Sequence, residues 1–305
     1  MADISIIILT FNEEVHLERA LRSVQSFAKK VYVVDSYSKD RTLDIARQYG
    51  AEIVQHPFEN YAKQLQWAIE TLPISTAWVM RLDADEWVEA DLANELNQRL
   101  ADLPQDVTGI VLKLKQIFLD RWIRRGAQYP LKLLRIWRRG VGRIENRWMD
   151  EHMVLSHGRT TLFSGNMANH QLKDLTFFTQ KHNHYATREA LDILNQRYHL
   201  GFSEDRDTIS SGQTSSQAAI KRWIKIHIYN RLPFWFGPTL YFFYRMFLRG
   251  GIFDGPEGII YHVLQGFWYR FLVGAKVFEL ERSIAGLTTP EAIRAKLAAE
   301  TGFKL

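Results

Sequence analysis

The sequence contains no cysteine, which excludes disulfides, thiolate metal sites and a cysteine nucleophile. This absence is typical of a protein in a reducing compartment. No apolar run approaches the ~20 residues needed to cross a bilayer, and the longest candidate, residues 234–244, stops at Arg245. The short apolar run at residues 4–9 follows the acidic Asp3 and does not fit a secretory signal. We therefore expect a globular cytoplasmic protein.

Acidic residues are scarce in two stretches of the chain. Residues 113–147 contain eleven lysines and arginines against two acids, Asp120 and Glu145, and residues 208–253 contain six basic residues and no acid. Because the net charge of the whole chain is only +5, the positive charge is concentrated in these stretches. The pattern predicts an anionic partner: a sugar diphosphate, an anionic lipid or a nucleic acid.

Apolar runs and amphipathic segments alternate at the start of the chain. Residues 4–9, 31–34, 51–54 and 77–82 are short apolar runs that predict strands. Helices are predicted between them: one with an apolar face at residues 17–24, one that ends before Gly50, and one over residues 61–71. This spacing predicts an α/β protein with a mostly parallel sheet flanked by helices.

The pattern changes after residue 108. Residues 109–118 and 131–139 alternate like half-exposed strands, and two helices are expected around residues 174–199. Residues 203–217 are polar and rich in serine and glycine, which predicts a linker. We therefore divide the chain into residues 1–202, this linker, and a basic, aromatic-rich helical region over residues 218–305.

Polar residues follow three of the predicted strands. Thr10, Asp35 and Asp83 each stand where a strand ends, and ligands bind beyond the carboxyl ends of strands in open α/β sheets. Asp83 and Asp85 place two carboxylates at alternate positions, a pattern that holds Mg²⁺ or Mn²⁺ together with substrate phosphates. A solvated loop with a helix-capping aspartate is the alternative. The convergence of these residues predicts a ligand site at this edge of the sheet.

Three segments carry a family resemblance: "ISIIILTFNEEVHLERALRSV", "VYVVDSYSKDRTLDIARQYGAEIV" and "WVMRLDADEWV". Together they resemble the inverting family 2 glycosyltransferases of GT-A fold, above all the branch that builds lipopolysaccharide cores and exopolysaccharides. The resemblance covers roughly residues 3–190, so residues 1–202 are expected to form the catalytic domain. It implies a metal-dependent transfer of a hexose from a nucleotide sugar, expected to be a UDP-sugar, to a lipid-linked or surface-glycan acceptor.

The resemblance also assigns roles to single positions near the nucleotide. Thr10 matches the residue whose backbone contacts the base, and Glu14 lies in the "NEE" that opens the first helix. Asp35 matches the acid that reads the uracil or ribose edge. Many members have two acids at that point, whereas this sequence has Asp35 followed by Ser36.

Further positions are implied around the diphosphate. Asp83 matches the ribose-side acid and Asp85 the ligand of the Mg²⁺ or Mn²⁺ that bridges the diphosphate. Lys63 lies on a helix near the nucleotide, with a solvated lysine as the alternative. Arg135 is a candidate phosphate clamp, because guanidinium groups bind phosphate in a bidentate manner, or else part of a basic face. The "KHNHY" segment, residues 181–185, resembles a Lys…Tyr pair of this branch or is simply a polar helix surface.

An inverting transfer needs a general base beside the acceptor hydroxyl. The segment "RWMDEHMVL", residues 147–155, offers Asp150, Glu151 and His152, where the resembling branch often has a "HE" pair. We favour Glu151 as the base, with Asp150 as the alternative. By strand alternation Asp150 and His152 share one face, so His152 is a candidate to assist the metal or the diphosphate, or to play a plain hydrogen-bonding role.

The carboxyl-terminal region is rich in aromatic residues. Residues 223–247 contain ten, interleaved with lysines and arginines. This composition predicts a helix that lies in the plane of an anionic membrane surface, where a lipid-linked acceptor would give the contact a purpose. The alternative is a helical subdomain that buries these rings. The expected location is therefore the cytoplasmic face of the inner membrane.

Two other functions fit parts of the sequence. A non-catalytic basic module that binds nucleic acid or anionic lipid would explain the basic, aromatic end. The acids at strand ends and the lack of a nucleic-acid motif argue against it, so we expect no nucleic-acid partner. A sugar nucleotidyltransferase needs a glycine-rich loop after the first strand, and "LTFNEE" contains no glycine. We therefore predict a glycosyltransferase.

Overall fold

The structure, a computed structural model, describes residues 1–145, 152–202 and 233–305. The predicted linker at 203–217 and the base candidates Asp150 and Glu151 lie outside these residues. The described strands are β1 (Ile4–Thr10), β2 (Lys30–Asp35), β3 (Glu52–Gln55), β4 (Trp78–Arg81), β5 (Glu86–Val88), β6 (Val107–Phe118), β7 (Arg121–Ile123), β8 (Leu131–Arg138), β9 (Gly142–Ile144), β10 (Met153–Leu155) and β11 (Arg159–His170). The described helices are α1 (Leu17–Val24), α2 (Thr42–Gln48), α3 (Tyr61–Thr71), α4 (Ala90–Arg99), α5 (Leu175–Tyr198), α6 (Phe236–Phe243), α7 (Gly255–Tyr261), α8 (Tyr269–Ser283) and α9 (Pro290–Thr301). Two π-helical turns, Tyr244–Leu248 and His262–Trp268, and a 3₁₀ turn, Gly251–Asp254, lie between α6 and α8 in this part of the chain.

The described strands form a nine-stranded sheet and a separate β9–β10 pair. The order in the large sheet is β3-β2-β1-β4-β8-β6-β11-β5, with β7 beside the end of β6. β1 pairs in parallel with β2 and β4, and β2 with β3, whereas β8 runs antiparallel to β4 and β6. The predicted α/β class with flanking helices is confirmed, and the sheet is mixed. No helix lies between β6 and β8 in the described chain, and strands joined without a crossover helix pair antiparallel.

Side chains of β1 enter cores on both faces of the sheet. Ile4, Ile6 and Ile8 pack with α1, α2 and α4 on one face, and Ile7 packs with α3 on the other. All four isoleucines are fully buried, which is why this strand is a continuous apolar run instead of an alternating one. The face of α1 that its spacing predicts is the buried one: Leu17, Ala20, Leu21 and Val24.

Local signals set most helix ends as predicted, with one correction. Gly50 follows α2 at φ +69°, a left-handed conformation that favours glycine. Asn60 caps α3, since its side chain accepts from the backbone N–H of Lys63. The two helices expected at 174–199 are one helix, α5, of 24 residues. The expectation was wrong because neither glycine nor proline interrupts this stretch.

The carboxyl-terminal helices pack against α5 and against the loop between β7 and β8. A hydrophobic cluster joins α5 to α8 and α9 through Leu194, Leu280 and Leu297, among others. The side chain of Arg245 donates from Nε to the carbonyl oxygen of Gly126 over 3.1 Å. None of the described helices is both long enough and apolar enough to cross a membrane. The division of the chain at residue 202 stays a prediction. Helix α5, which precedes residue 202, shares a core with α8 and α9, which follow it.

Candidate functional site

A cleft of about 660 Å³ lies at the carboxyl ends of β1 and β4. Thr10, Asp83 and Asp85 line the side formed by the sheet. The opposite side consists of α5, the end of α7 and the π turn that follows it, through Lys181, Tyr185, Arg188, Tyr261 and Gln265. The cleft therefore joins the predicted edge of the sheet to the carboxyl-terminal helices.

Asp83 is enclosed by donors from three elements. Tyr61 donates from Oη to Oδ1 over 2.5 Å, Arg81 donates from Nε to Oδ1 over 3.1 Å, and Arg135 donates from Nη2 to Oδ2 over 3.3 Å. Burial alone would raise the pKa of Asp83, but the guanidinium groups of Arg81 and Arg135 hold that pKa well below its usual range. Asp83 is therefore ionised and fixed in direction. Sequence reasoning missed Tyr61 and Arg81, although Arg81 stands two residues before Asp83.

Arg135 spans Asp83 and a second, more deeply buried carboxylate. Its Nη2 also donates to Oε1 of Glu86, and the side chains of Arg135 and Glu86 are only 6% and 2% exposed. Burial raises the pKa of Glu86 to about 8, against the attraction of Arg135. The predicted phosphate clamp thus lines the cleft, but its guanidinium is occupied by the protein's own acids.

Asp85 has a different environment from Asp83. Its carboxylate makes no hydrogen bond or ion pair within the described residues and faces the cleft. Its backbone carbonyl oxygen, in contrast, accepts from the N–H of His170 over 3.0 Å and from Nη2 of Arg19 over 3.3 Å. The backbone of Asp85 is therefore fixed by hydrogen bonds, while its carboxylate remains available to a ligand.

Three predicted nucleotide contacts lie away from the cleft lining. Asp35 is fully buried and accepts from the Thr10 hydroxyl, from the backbone N–H and hydroxyl of Ser38, and from Nε2 of Gln55. Glu14 is exposed and accepts from the N–H of Arg41. Lys63 pairs with Glu59 over 2.5 Å on the exposed face of α3. Of the residues predicted near the nucleotide, Thr10, Asp83 and Arg135 are the ones the structure brings together.

His152 is the second predicted metal ligand, and it too lines the cleft. Its backbone N–H donates to Oε2 of the buried Glu145 over 3.3 Å, and its Nδ1 lies 3.7 Å from the same oxygen. In the described part of the chain no group of three or more acidic or histidine residues is arranged to hold a metal. Asp85 and His152 fit an ion that has one or two protein ligands and takes its other ligands from substrate phosphates and water, as Mg²⁺ usually does.

Three cations of the cleft have no anionic partner. Lys132 on β8 and Lys181 and Arg188 on α5 make no hydrogen bond or ion pair with other described residues. Burial would lower the pKa of Lys181, but Tyr185 and the nearby acids Asp85, Glu13 and Asp83 keep that pKa above its ordinary value. These side chains bring positive charge to the cleft from both the sheet and α5. The "KHNHY" segment was the sequence signal for one of them, whereas Lys132 and Arg188 had none beyond the local basic charge.

Comparison with known proteins gives the following matches. The family model for glycosyl transferase family 2 matches residues 5–170. An uncharacterized glycosyltransferase of Rickettsia typhi is 27% identical over 206 residues, which are 64% of this chain and 70% of that protein. A lipopolysaccharide core biosynthesis glycosyltransferase of Rhizobium meliloti is 25% identical over 283 residues, 90% of this chain and 92% of that protein. Among solved structures, a mannosyltransferase of Pyrobaculum calidifontis in complex with GDP-Man and Mn²⁺ is 15% identical, with a TM-score of 0.44 over 99% of this chain and 81% of that chain.

Proposed function

The chain belongs to glycosyltransferase family 2, and from this premise we propose that it transfers a hexose, with inversion, from a UDP-sugar to a lipid-linked glycan. The acceptor is a precursor of lipopolysaccharide or exopolysaccharide. The observation that carries the proposal is the contrast between two carboxylates at the mouth of the cleft: Asp83 is enclosed by Arg81, Arg135 and Tyr61, whereas Asp85 is free to bind.

The metal proposal follows from that contrast. Asp85 holds Mg²⁺ or Mn²⁺, with His152 as the second candidate ligand. When bound, such an ion neutralises charge that develops on the leaving diphosphate. Asp83 contributes as an oriented, ionised group on the ribose side, and Thr10 remains the predicted backbone contact to the base. Asp35 supports this contact by accepting from the Thr10 hydroxyl.

The unpaired cations are proposed to bind the diphosphate. Lys181 stays protonated, since the acids around it hold its pKa high, and together with Lys132 and Arg188 it offers donors to phosphate oxygens. This assigns to Lys132, Lys181 and Arg188 the contact with the diphosphate that the sequence suggested for Arg135. Arg135 instead keeps Asp83 ionised and in place.

The general base is proposed to be Glu151, with Asp150 as the alternative. Glu13, Asp83 and Asp85 are the carboxylates among the described residues that line the cleft. Glu13 pairs with His16, and Asp83 pairs with two arginines, so neither is free to take a proton from an acceptor. Asp85 is assigned to the metal. The support for Glu151 is therefore this elimination, together with its place in the chain beside His152, which lines the cleft.

The proposed partners follow from the same reaction. They are the nucleotide sugar, a lipid-linked glycan and the anionic surface of the cytoplasmic membrane that holds such a glycan. The basic stretch without acids at residues 208–253 supports the last of these. We propose a peripheral location on the cytoplasmic side and no nucleic-acid partner.

The experiment that tests the function replaces Asp85. We expect UDP with Mn²⁺ to protect the wild-type protein from thermal unfolding, and a screen of UDP-hexoses with membrane extract to release UDP. Asp85→Asn should lose both, while Asp102→Asn, a change to an exposed acid outside the cleft, should lose neither. Unchanged UDP/Mn²⁺ affinity in Asp85→Asn would overturn the metal assignment. Release of pyrophosphate from UTP and a hexose 1-phosphate, with no release of UDP from the UDP-hexoses, would identify a nucleotidyltransferase.

A further inference from the structure

The outer face of α6 and of the π turn after it is apolar. Large side chains recur there at positions 236, 240, 243 and 247, and the rings of Phe243 and Phe247 stack at 5.6 Å, so they share one face. We call the outer stripe the following residues, each at least 42% exposed: Phe236, Leu240, Phe243, Phe247, Leu248 and Phe253. The inner face holds Gly237, Arg245 and Met246, which are buried.

The apolar face of α6 points outward, the reverse of its orientation in a helix on the surface of a water-soluble protein. A surface helix turns its apolar stripe toward the core and its polar residues toward water. In this segment an arginine, at 2% exposure, is buried beside Met246, whereas leucine and phenylalanine side chains are exposed. A continuous exposed apolar face of this kind marks an interaction site.

Arginines border the outer stripe at one end. The guanidinium carbon of Arg125 lies 5.5 Å from the centre of the Phe253 ring, and the N–H of Gly126 donates to the carbonyl oxygen of Arg249 over 3.0 Å. The side chains of Arg124, Arg125 and Arg249 have no ion pair with any described residue. Asp254 contacts Arg125 by accepting from its backbone N–H, and this acid is only 4% exposed.

The arginine border decides between the possible occupants. In a two-fold dimer through the outer stripe, these arginines would face the partner's apolar stripe or its arginines, and neither offers them an acidic group. An anionic phospholipid surface matches both features, because it receives the apolar side chains between its headgroups and attracts the arginines.

The same part of the chain reaches the cleft. Phe253 belongs to the outer stripe, and Ile259 and Ile260 of α7 are 39% and 36% exposed. Immediately after them, Tyr261 and Gln265 line the cleft, and Tyr261 donates from Oη to Oε1 of Gln128 over 3.0 Å. A surface that covers the outer stripe would thus lie within one short helix of the cleft.

We infer that the outer stripe, with Arg124, Arg125 and Arg249, docks the protein on an anionic phospholipid membrane and brings the cleft to its lipid-linked acceptor. The choice of acceptor rests on the proposed function, but the docking itself does not. The inference narrows the predicted membrane contact from residues 208–253 to α6 and its neighbours.

The test is co-sedimentation of the full chain with vesicles of phosphatidylglycerol and phosphatidylcholine, compared with phosphatidylcholine alone. Arg124→Gln/Arg125→Gln/Arg249→Gln should weaken binding to the anionic vesicles by on the order of 100-fold, about five-fold for each charge. Leu240→Gln/Phe247→Gln should also weaken it and leave a salt-sensitive remainder. The matched controls are Arg139→Gln in the turn after β8 and Leu162→Gln on β11, both exposed, and these should bind like the wild type.

Three outcomes would overturn the inference. The wild type could ignore anionic vesicles at low salt, or the stripe variants could bind as the controls do. Alternatively, sedimentation equilibrium without vesicles could show a dimer that Leu240→Gln/Phe247→Gln dissociates, which would make the outer stripe a self-association face. Thermal protection by UDP with Mn²⁺, measured on the same variants, separates this inference from the proposed function. Protection with no vesicle binding rejects only the membrane surface, and vesicle binding with no protection rejects only the function.

Discussion

In β1, all four isoleucines are fully buried, whereas in the outer stripe Leu240, Phe243 and Phe247 are each more than half exposed. Polar groups show the opposite contrast. The carboxylates of Asp35 and Asp83 at the strand ends are surrounded by donors from the same chain. In the carboxyl-terminal helices, Arg245 and His262 are buried with nitrogen atoms that find no hydrogen-bond partner among the described residues.

This contrast indicates that the amino-terminal sheet and the carboxyl-terminal helices are adapted to different environments. The amino-terminal sheet buries its apolar residues and surrounds its strand-end carboxylates with donors, although Nε of Arg135 and Nε1 of Trp137 have no hydrogen-bond partner among the described residues. The carboxyl-terminal helices instead expose a continuous apolar surface, the kind of surface that marks an interaction site. The cleft lies between the two regions and takes residues from both.

The largest effect is expected where neither region supplies the chemistry. Glu151→Gln keeps the size of the side chain but cannot accept a proton, so transfer should fall by about 10²–10⁴-fold. Donor binding, measured as UDP/Mn²⁺ protection, should barely change, because the base faces the acceptor. Such a loss of transfer with unchanged donor binding would show that the general base comes from a segment outside both described regions.

Asp150→Asn is the matched control for that experiment. If Glu151 is the base, Asp150→Asn should cost less turnover and affect mainly donor binding. An exchange of these two phenotypes would identify Asp150 as the base. If neither variant loses more than a few-fold, the base must be sought among residues that the comparison already treats as paired.

The second effect measures the contrast in packing directly. Ile6→Ala leaves a cavity in a fully buried site and should lower the free energy of unfolding by about 2–5 kcal/mol. Leu240→Ala removes a side chain that is 56% exposed and should change the same quantity by no more than about 0.5 kcal/mol. Urea unfolding of both variants without vesicles gives the comparison. A comparable loss in Leu240→Ala would show that the folded chain covers this residue and would remove the contrast.

Much of the amino-terminal sheet could be predicted because its rules are local. The continuous apolar run of β1, the helical spacing of α1 and the cap of α3 each follow from neighbouring residues. The position of the cleft also followed, since parallel strands bring their carboxyl ends to one edge. Asp85 was predicted as a metal ligand, and this stays a prediction; its carboxylate faces the cleft without a partner in the described chain.

The remainder depended on tertiary placement. Arg135 lies beside Asp83 because β8 joins the sheet antiparallel to β4, a pairing that no local pattern specifies. Asp35 accepts from Thr10 of β1 and Gln55 of β3, which the strand pairing brings beside it. Composition indicated aromatic, basic helices near the end of the chain, but only packing decides which face of α6 is exposed.

The third effect separates the two aspartates by stability instead of activity. Asp83→Asn removes the charge partner of Arg135, whose side chain is 6% exposed, and should cost about 1–3 kcal/mol of unfolding free energy. Asp85→Asn removes a carboxylate without a partner in the described chain and should leave stability unchanged or slightly higher when no metal is present. Urea unfolding in a chelator makes this measurement. An equal loss in both variants would mean that Asp85 is also held by the protein.

The smallest effect concerns His262 and the pH dependence of stability. Burial, together with the nearby charge of Arg245, lowers the pKa of His262 to about 4. The ordinary value of histidine in an unfolded chain is about 6.5. Because the folded pKa is the lower one, protons bind the unfolded state first, so His262 destabilises the fold as the pH drops from about 6.5 toward 4 and adds nothing further below that.

After allowance for solvent screening, this amounts to about 1 kcal/mol at pH 5. His262→Asn should therefore flatten the fall in unfolding free energy between pH 7.5 and 5, even if it lowers stability at both pH values. Ile6→Ala is the control, because it is destabilised by a change in the sheet and should keep the wild-type pH slope. If His262→Asn keeps that slope as well, the ring is satisfied by a group outside the described residues. The carboxyl-terminal helices would then bury their polar groups no less completely than the sheet does.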